Sequence, residues 1–230
     1  MIFQNRSEAG FLLGREIVAA ANPVRPITIG ILRGGVAVGV PIARQLKSLL
    51  RVIPVSKLSP PDNPEFAIGA IAPYSGYYDN HSIHSLNLQK TYLKDEFSRK
   101  KEILKSRIRR YKPYLLTGKD KFQTVVLVDD GVATGATIIA SVRSIRNLIT
   151  RWKKSPVNIL LAIPVIARDA YDQLQSQVDK IIALEISGSF SSVGKFYTDF
   201  LPVGDREILS ILKTMRGGSY EADYRSRQSR

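Results

Sequence analysis

The sequence predicts an α/β fold with a mainly parallel central sheet flanked by helices. Two observations predict it. Short β-branched runs alternate with amphipathic helical stretches along most of the chain, the pattern of βα units that feed a parallel sheet. The strongest run, Thr124-Val-Val-Leu-Val-Asp129, is apolar at successive positions before its acid, as expected of a buried strand.

The elements follow in order. Ile27-Thr-Ile-Gly-Ile-Leu32 reads as a buried strand that passes through Arg33-Gly34-Gly35 into a helix ending near Leu50. Val52 to Lys57 reads as a second strand and Phe66 to Ala72 as a third. Between Gly76 and Gln123 the alternation stops. Leu93, Phe97, Leu104, Ile108 and Tyr111 are spaced to line one face of a helix there. After Thr124–Asp129, a helix opens near Gly135 and runs to about Ile149. Pro156 marks a break before a strand, a helix and a strand at Val157–Val165, Asp169–Gln177 and Lys180–Ile186. The expected organisation is one domain over 1–215, with a helical insertion at about 76–122 and a C-terminal segment at about 187–215. Residues 216–230 read as a polar, basic tail that frays.

Composition narrows the class. The 230 residues are 44% hydrophobic and 23% charged, which suits a single cored domain. No apolar run is long enough to cross a bilayer, and Met1-Ile-Phe-Gln-Asn-Arg6 lacks the features of a signal peptide. With no cysteine there is no disulfide or thiolate chemistry. The expectation is a cytoplasmic protein without a membrane partner. The net charge of +14 is unusual, and Arg99 to Lys112 holds eight basic residues against the single acid Glu102. Such a run reads either as a solvated helix face or as a positive wall beside an anion site. His81 and His84 lack the carboxylate or cysteine support that a metal site needs. Trp152, among basic residues, reads as a surface-packed indole.

The chemistry concentrates after the strongest strand. Asp129 and Asp130 are followed by Gly131-Val-Ala-Thr134 and a helix beginning Gly135-Ala-Thr137. A helix N-terminus after a small-residue turn offers free N–H groups and a positive dipole end to a phosphate. Thr134 and Thr137 add hydroxyls, and Gly135 permits close approach. Paired acids would repel a bare phosphate, so they ask for sugar hydroxyls or magnesium. A ribose 5-phosphate satisfies both ends.

Val125 to Thr137 resembles the phosphoribosyl pyrophosphate signature of type I phosphoribosyltransferases. The resemblance implies that family's Rossmann-like fold with a small hood, and a 5-phosphoribosyl transfer to a nucleobase or amine nitrogen with release of pyrophosphate. It gives Asp129 and Asp130 the ribose hydroxyls, and Ala133, Thr134, Gly135, Ala136 and Thr137 the 5-phosphate. Arg33, Gly34 and Gly35 match its pyrophosphate loop, which often holds a non-proline cis peptide, and Lys57 lies where relatives supply another cation. The catalytic set implied is Arg33, Lys57, Asp129 and Asp130. The implied cofactor is Mg2+ carried by the substrate, with Asp129 or Asp130 as candidate ligands. Phe3–Leu13, Leu32–Val40, Lys57–Ala72 and Ser192–Phe200 extend the likeness to a subgroup of predicted phosphoribosyltransferases whose acceptor is not established. Where purine-salvage members carry an aspartate, this chain has Ala133, which weakens a 6-oxopurine acceptor. Ile71 to Asn80 is the expected mobile lid. Tyr74, Tyr78, Phe196 and Tyr197 are the candidate acceptor-binding aromatics. A second reading remains open at this point, a phosphoribosyl-pyrophosphate sensor that binds RNA or DNA through the basic helix. The insertion has two candidate uses, covering the site or forming a homodimer interface.

Overall fold

The computed structural model describes residues 1–63, 66–152 and 156–217. Pro64 and Glu65, within the Lys57–Ala72 likeness, and 218–230 of the expected tail lie outside the described residues. The chain opens with α1 (Arg6–Ala20), started by reciprocal capping. The Asn5 side chain accepts from the Glu8 N–H at 3.0 Å, and Glu8 accepts from the Gln4 N–H at 2.5 Å. Ala9, Leu13 and Ile17, four apart, form its buried face.

Strand β1 (Pro26–Ile31) leads to α2 (Gly34–Leu46) and β2 (Leu49–Ile53). The expected helix end near Leu50 is corrected: α2 stops at Leu46, because Lys47 takes a left-handed conformation at φ 49°. Leu49 and Leu50 belong to β2. The expected second strand, Val52–Lys57, is also divided. Pro54 cannot donate to a ladder, so β2 ends at Ile53. Lys57 falls in β3 (Ser56–Leu58), which pairs antiparallel with β4 (Gly69–Ala72), itself antiparallel to β5 (Ser75–Tyr78). The third expected strand therefore belongs to a separate three-stranded sheet.

The insertion follows as α3 (Asn80–Ser85) and α4 (Lys90–Arg110). Leu93, Phe97, Leu104 and Ile108 pack on Leu58 and Ile71 of the small sheet and on Ile68 just before its strand β4. Tyr111 leaves that stripe for a cluster with Ile208 and Leu212. Next come β6 (Thr124–Val128), α5 (Ala136–Arg151), β7 (Asn158–Ala167), α6 (Arg168–Leu174) and β8 (Lys180–Ser187). The last helix, α7 (Asp205–Gly217), carries Arg216 beyond the expected domain edge at 215.

The main sheet runs β2-β1-β6-β7-β8, and each neighbouring pair is parallel. Successive residues of β6 serve opposite faces: Val125 and Leu127 join Ile138, Ile139, Val142 and Ile145 of α5. Val126 and Val128 join Leu13 and Ile17 of α1 with Val38 and Ile42 of α2. This period of two explains why the strand has no polar face. From β1 the chain moves outward by way of α2 to β2, and from β6 it moves the other way by way of α5 to β7. The β1–β6 boundary is thus a topological switch point, where the strand ends diverge into a crevice.

Candidate active site

At the C-terminal ends of β1 and β6, a cleft of about 650 Å³ collects residues from several distant parts of the chain. The β1–α2 turn contributes Leu32, Arg33 and Gly34, and the β6–α5 turn contributes Asp129 to Gly135 with Thr137. Ser56 and Lys57 come from β3, and Lys100, Ile103 and Arg107 come from α4. Ser191 to Gly194 and Phe200 form the remaining wall.

Two glycines of the cleft lining sit where a side chain would conflict with the site. A Cβ on Gly34 would sit 1.9 Å from Asp130 Oδ2, so a side chain there would have to displace that carboxylate. Gly135 has φ +77° and starts α5 without a side-chain cap, so the first-turn N–H groups lack a side-chain partner where Gly135 and Thr137 line the cleft. The Leu32–Arg33 peptide is cis. Gly35 and Ala136 do not line the cleft. Ala136 buries its methyl in the core and offers only backbone, while Gly35 lies where a Cβ would meet the Val128 carbonyl at 2.3 Å.

The two acids have different surroundings. Asp129 Oδ1 accepts from the Asp130 N–H at 3.0 Å. Burial, and then the Asp130 charge, raise Asp129 well above the ordinary carboxylate value. Asp130 instead accepts from Arg6 Nε at 2.7 Å, in a pair whose side chains are 12% and 17% exposed. Arg6 stands over the Phe200 ring at 3.8 Å and donates to the Leu201 carbonyl at 3.0 Å. It thereby ties the start of α1 to both the acids and the C-terminal wall. That wall also pairs with the N-terminus: the Phe3 N–H donates to Phe196 O at 2.8 Å, and the Thr198 N–H donates to Phe3 O at 2.7 Å.

The aromatic candidates are redistributed. Tyr197 is buried against Phe3 and Phe200, and its hydroxyl donates to the Asp130 carbonyl at 2.7 Å. Burial raises its pKa. Phe196 stacks on Phe190 at 5.5 Å. Neither ring lines the cleft, whereas Phe200 does. Tyr74 and Tyr78 are also away from it. Tyr74 meets Arg151 and a separate apolar pocket, and Tyr78 stacks on Phe97 at 6.3 Å. The expected lid, Ile71–Asn80, spans the β4–β5 hairpin and the start of α3, and the hairpin turn is bonded to α5. Asn147 donates to the Tyr74 carbonyl at 3.0 Å, and Ser144 donates to the Pro73 carbonyl.

Sequence reasoning missed Arg6, Phe200 and Asp205, and did not separate Lys100 and Arg107 from the rest of their basic run. Arg6 alone carried a local signal. A cation in the first turn of a helix opposes the macrodipole and so calls for a nearby carboxylate. Asp205 lies 3.9 Å from Arg33, accepts from Tyr111 at 2.9 Å and bonds Arg110.

A family profile described as a phosphoribosyl transferase domain matches residues 12–150. A Mycobacterium tuberculosis H37Rv protein named "Putative phosphoribosyl transferase Rv0571c" is 28% identical over 216 residues, covering 92% of this chain and 46% of its own length. Its counterpart in strain CDC 1551 matches equally. The chain therefore spans less than half the length of these curated relatives. The crystal structure of TT1426 from Thermus thermophilus superposes with a TM-score of 0.67 at 33% identity, covering 92% of this chain and 98% of that one. No described helix is long and apolar enough to cross a membrane. With the matched span enclosing the β1–α2 and β6–α5 turns and the strands that carry them, the chain belongs to the phosphoribosyl transferase family.

Proposed function

We propose that the chain transfers the 5-phosphoribosyl group of phosphoribosyl pyrophosphate to a nitrogen acceptor, releasing pyrophosphate. The observation that carries this reading is the convergence of the Asp129–Thr137 turn, Arg33 and Lys57 on one cleft. The α5 N-terminus suits the 5-phosphate, Asp129 and Asp130 suit the ribose hydroxyls, and Arg33 and Lys57 suit the diphosphate. The bond from the anomeric carbon to the diphosphate oxygen breaks with its electron pair leaving on pyrophosphate. The acceptor nitrogen bonds that carbon and loses its proton. Negative charge grows at the Arg33 and Lys57 end as it departs, so these cations favour the transition state over the ground state. Holding the far phosphate orients the reacting carbon.

The donor chemistry of the cleft fits Mg2+ that arrives with the substrate. Asp129 and Asp130 offer hard oxygens, and no group of three or more metal-binding side chains stands together among the described residues. Bound there, the ion would neutralise diphosphate charge. Ala133 brings no base to the acceptor, which favours acceptors whose nitrogen needs none at that point. The hood assignment for 187–215 is supported by Ser191–Gly194 and Phe200 facing the cleft.

Phosphorus NMR of Mg-phosphoribosyl pyrophosphate with the protein, with and without pooled nucleobases and amines, tests this. Acceptor-dependent release of pyrophosphate is the expected outcome. Perturbed donor signals without turnover would favour a sensor, and unperturbed signals at high protein concentration would end the reading.

A further inference from the structure

We propose that the insertion helix α4 completes the diphosphate end of the cleft, with Arg107 and the Ser56 hydroxyl as direct ligands of the donor's diphosphate and Lys100 as a flanking charge. The proposal rests on the donor assignment above and extends it to residues outside the β1–α2 and β6–α5 turns.

Lys100, Ile103 and Arg107 fall at i, i+3 and i+7 and all line the cleft, so they form one stripe of about 10 Å on the inner side of α4. Arg99, Lys101, Lys105 and Arg109 are exposed to solvent instead. The basic run is thus divided, and only part of its charge is available to an outside partner.

Arg107 is fixed in place. Its Nη1 donates to the Val55 carbonyl at 2.6 Å, next to Ser56, and one bond leaves most of the guanidinium's donors for a ligand. Burial, and then the neighbouring Arg33 charge, lower its pKa. Asp205 is the carboxylate whose charge acts on Arg107. That same carboxylate also faces Arg33 at 3.9 Å and bonds Arg110. Three guanidiniums therefore share one acid. Crowding like charges in a half-buried cleft is unfavourable unless an anion enters among them.

Ser56 provides an independent sign of a ligand. It is 3% exposed, and its Oγ has no hydrogen-bond partner among the described residues. It belongs to the cleft lining beside Lys57. A buried hydroxyl without a partner is unfavourable, and a diphosphate oxygen would satisfy it. A cationic wall and an unmet donor at the same end fit a compact polyanion better than an extended nucleic-acid backbone.

The test is calorimetric titration of the full chain with inorganic pyrophosphate plus magnesium chloride, and separately with ribose 5-phosphate. Arg107→Gln is expected to weaken pyrophosphate binding about ten- to hundred-fold, and ribose 5-phosphate binding less than about twofold. Ser56→Ala should weaken pyrophosphate several-fold without lowering the melting temperature, which a merely structural hydroxyl would not do. The outward Arg109→Gln controls for general charge. If it weakens pyrophosphate as much as Arg107→Gln does, the effect is the field of the helix and the proposal falls. If the parent binds both probes and Arg107→Gln and Ser56→Ala change neither, the proposal falls while the donor reading stands. If the parent binds neither probe, the donor reading falls as well. Should Arg107→Gln fail to fold, unchanged pyrophosphate affinity in Ser56→Ala and Arg107→Lys would overturn the assignment.

Discussion

Both edges of the parallel sheet open into cavities, and the comparison between them separates size from chemistry. At the N-terminal edge of the strands lies a space of about 880 Å³, bordered by Asn22, Arg25, Lys121, Asn158, Asp179 and Lys180. The cleft at the opposite edge is smaller, about 650 Å³. At the larger space α1 ends, and its terminal carbonyl at Ala20 already accepts from Lys180 Nζ at 2.6 Å. At the smaller cleft α2 and α5 begin, with Arg6 at the start of α1 bonded to its Asp130. Helix starts carry positive dipole ends and free N–H groups, whereas helix ends carry the opposite. Anion chemistry therefore selects the smaller cavity.

Four changes probe that contrast. The largest effect is expected from Arg6→Met, which leaves Asp130 partly buried without its cation. Stability should fall by about 2–4 kcal/mol in a denaturant titration, and a loss below about 0.5 kcal/mol would remove Arg6 as the tie between α1 and the acids. Gly34→Ala places a methyl against the Asp130 carboxylate. Donor affinity should drop about ten- to hundred-fold by calorimetry, and unchanged affinity would mean that this contact does not shape the site.

Asp129→Asn gives a smaller, pH-dependent effect. Because the fold raises the Asp129 pKa above its ordinary 3.8, ionisation of this group destabilises the native state. The stability contributed by its neutral form is full below the ordinary value and is lost as pH rises through the native pKa. The variant should therefore unfold at a higher denaturant concentration than the parent at about pH 7 and match it below about pH 4, while losing donor affinity. A gain that persisted in acid would point to another cause. The smallest effect belongs to the other edge of the sheet. Lys180→Ala should change stability by less than about 0.5 kcal/mol and leave donor affinity unaltered. A marked loss of affinity there would erase the distinction between the two edges.

Legibility in the sequence follows the same division. The β6 turn is readable because its strand, acids, glycine and hydroxyls are contiguous, so local chain geometry places them together. The β1 turn is readable for the same reason. Lys57 lines the cleft from a different sheet than its apolar stretch suggests, because Pro54 divides what reads as one strand. Tyr74 and Tyr78 escape a reading by pattern. Their hairpin is held by α5 through Ser144 and Asn147, and a strand pattern does not reveal which helix it will meet.

The sequence by itself determined the α/β class, the mainly parallel central sheet implied by alternating units and the contiguous turn of acids, glycine and hydroxyls at Asp129–Thr137. These depend on periodicity and on residues adjacent in the chain. Only the tertiary structure decided that Arg6 meets Asp130, that Asp205 stands among three arginines, and that Lys100 and Arg107 face inward while Arg99 and Arg109 face solvent. The physical reason is direction. A helical pattern states which residues share a face, but the partner that face meets is set by packing between segments distant in sequence.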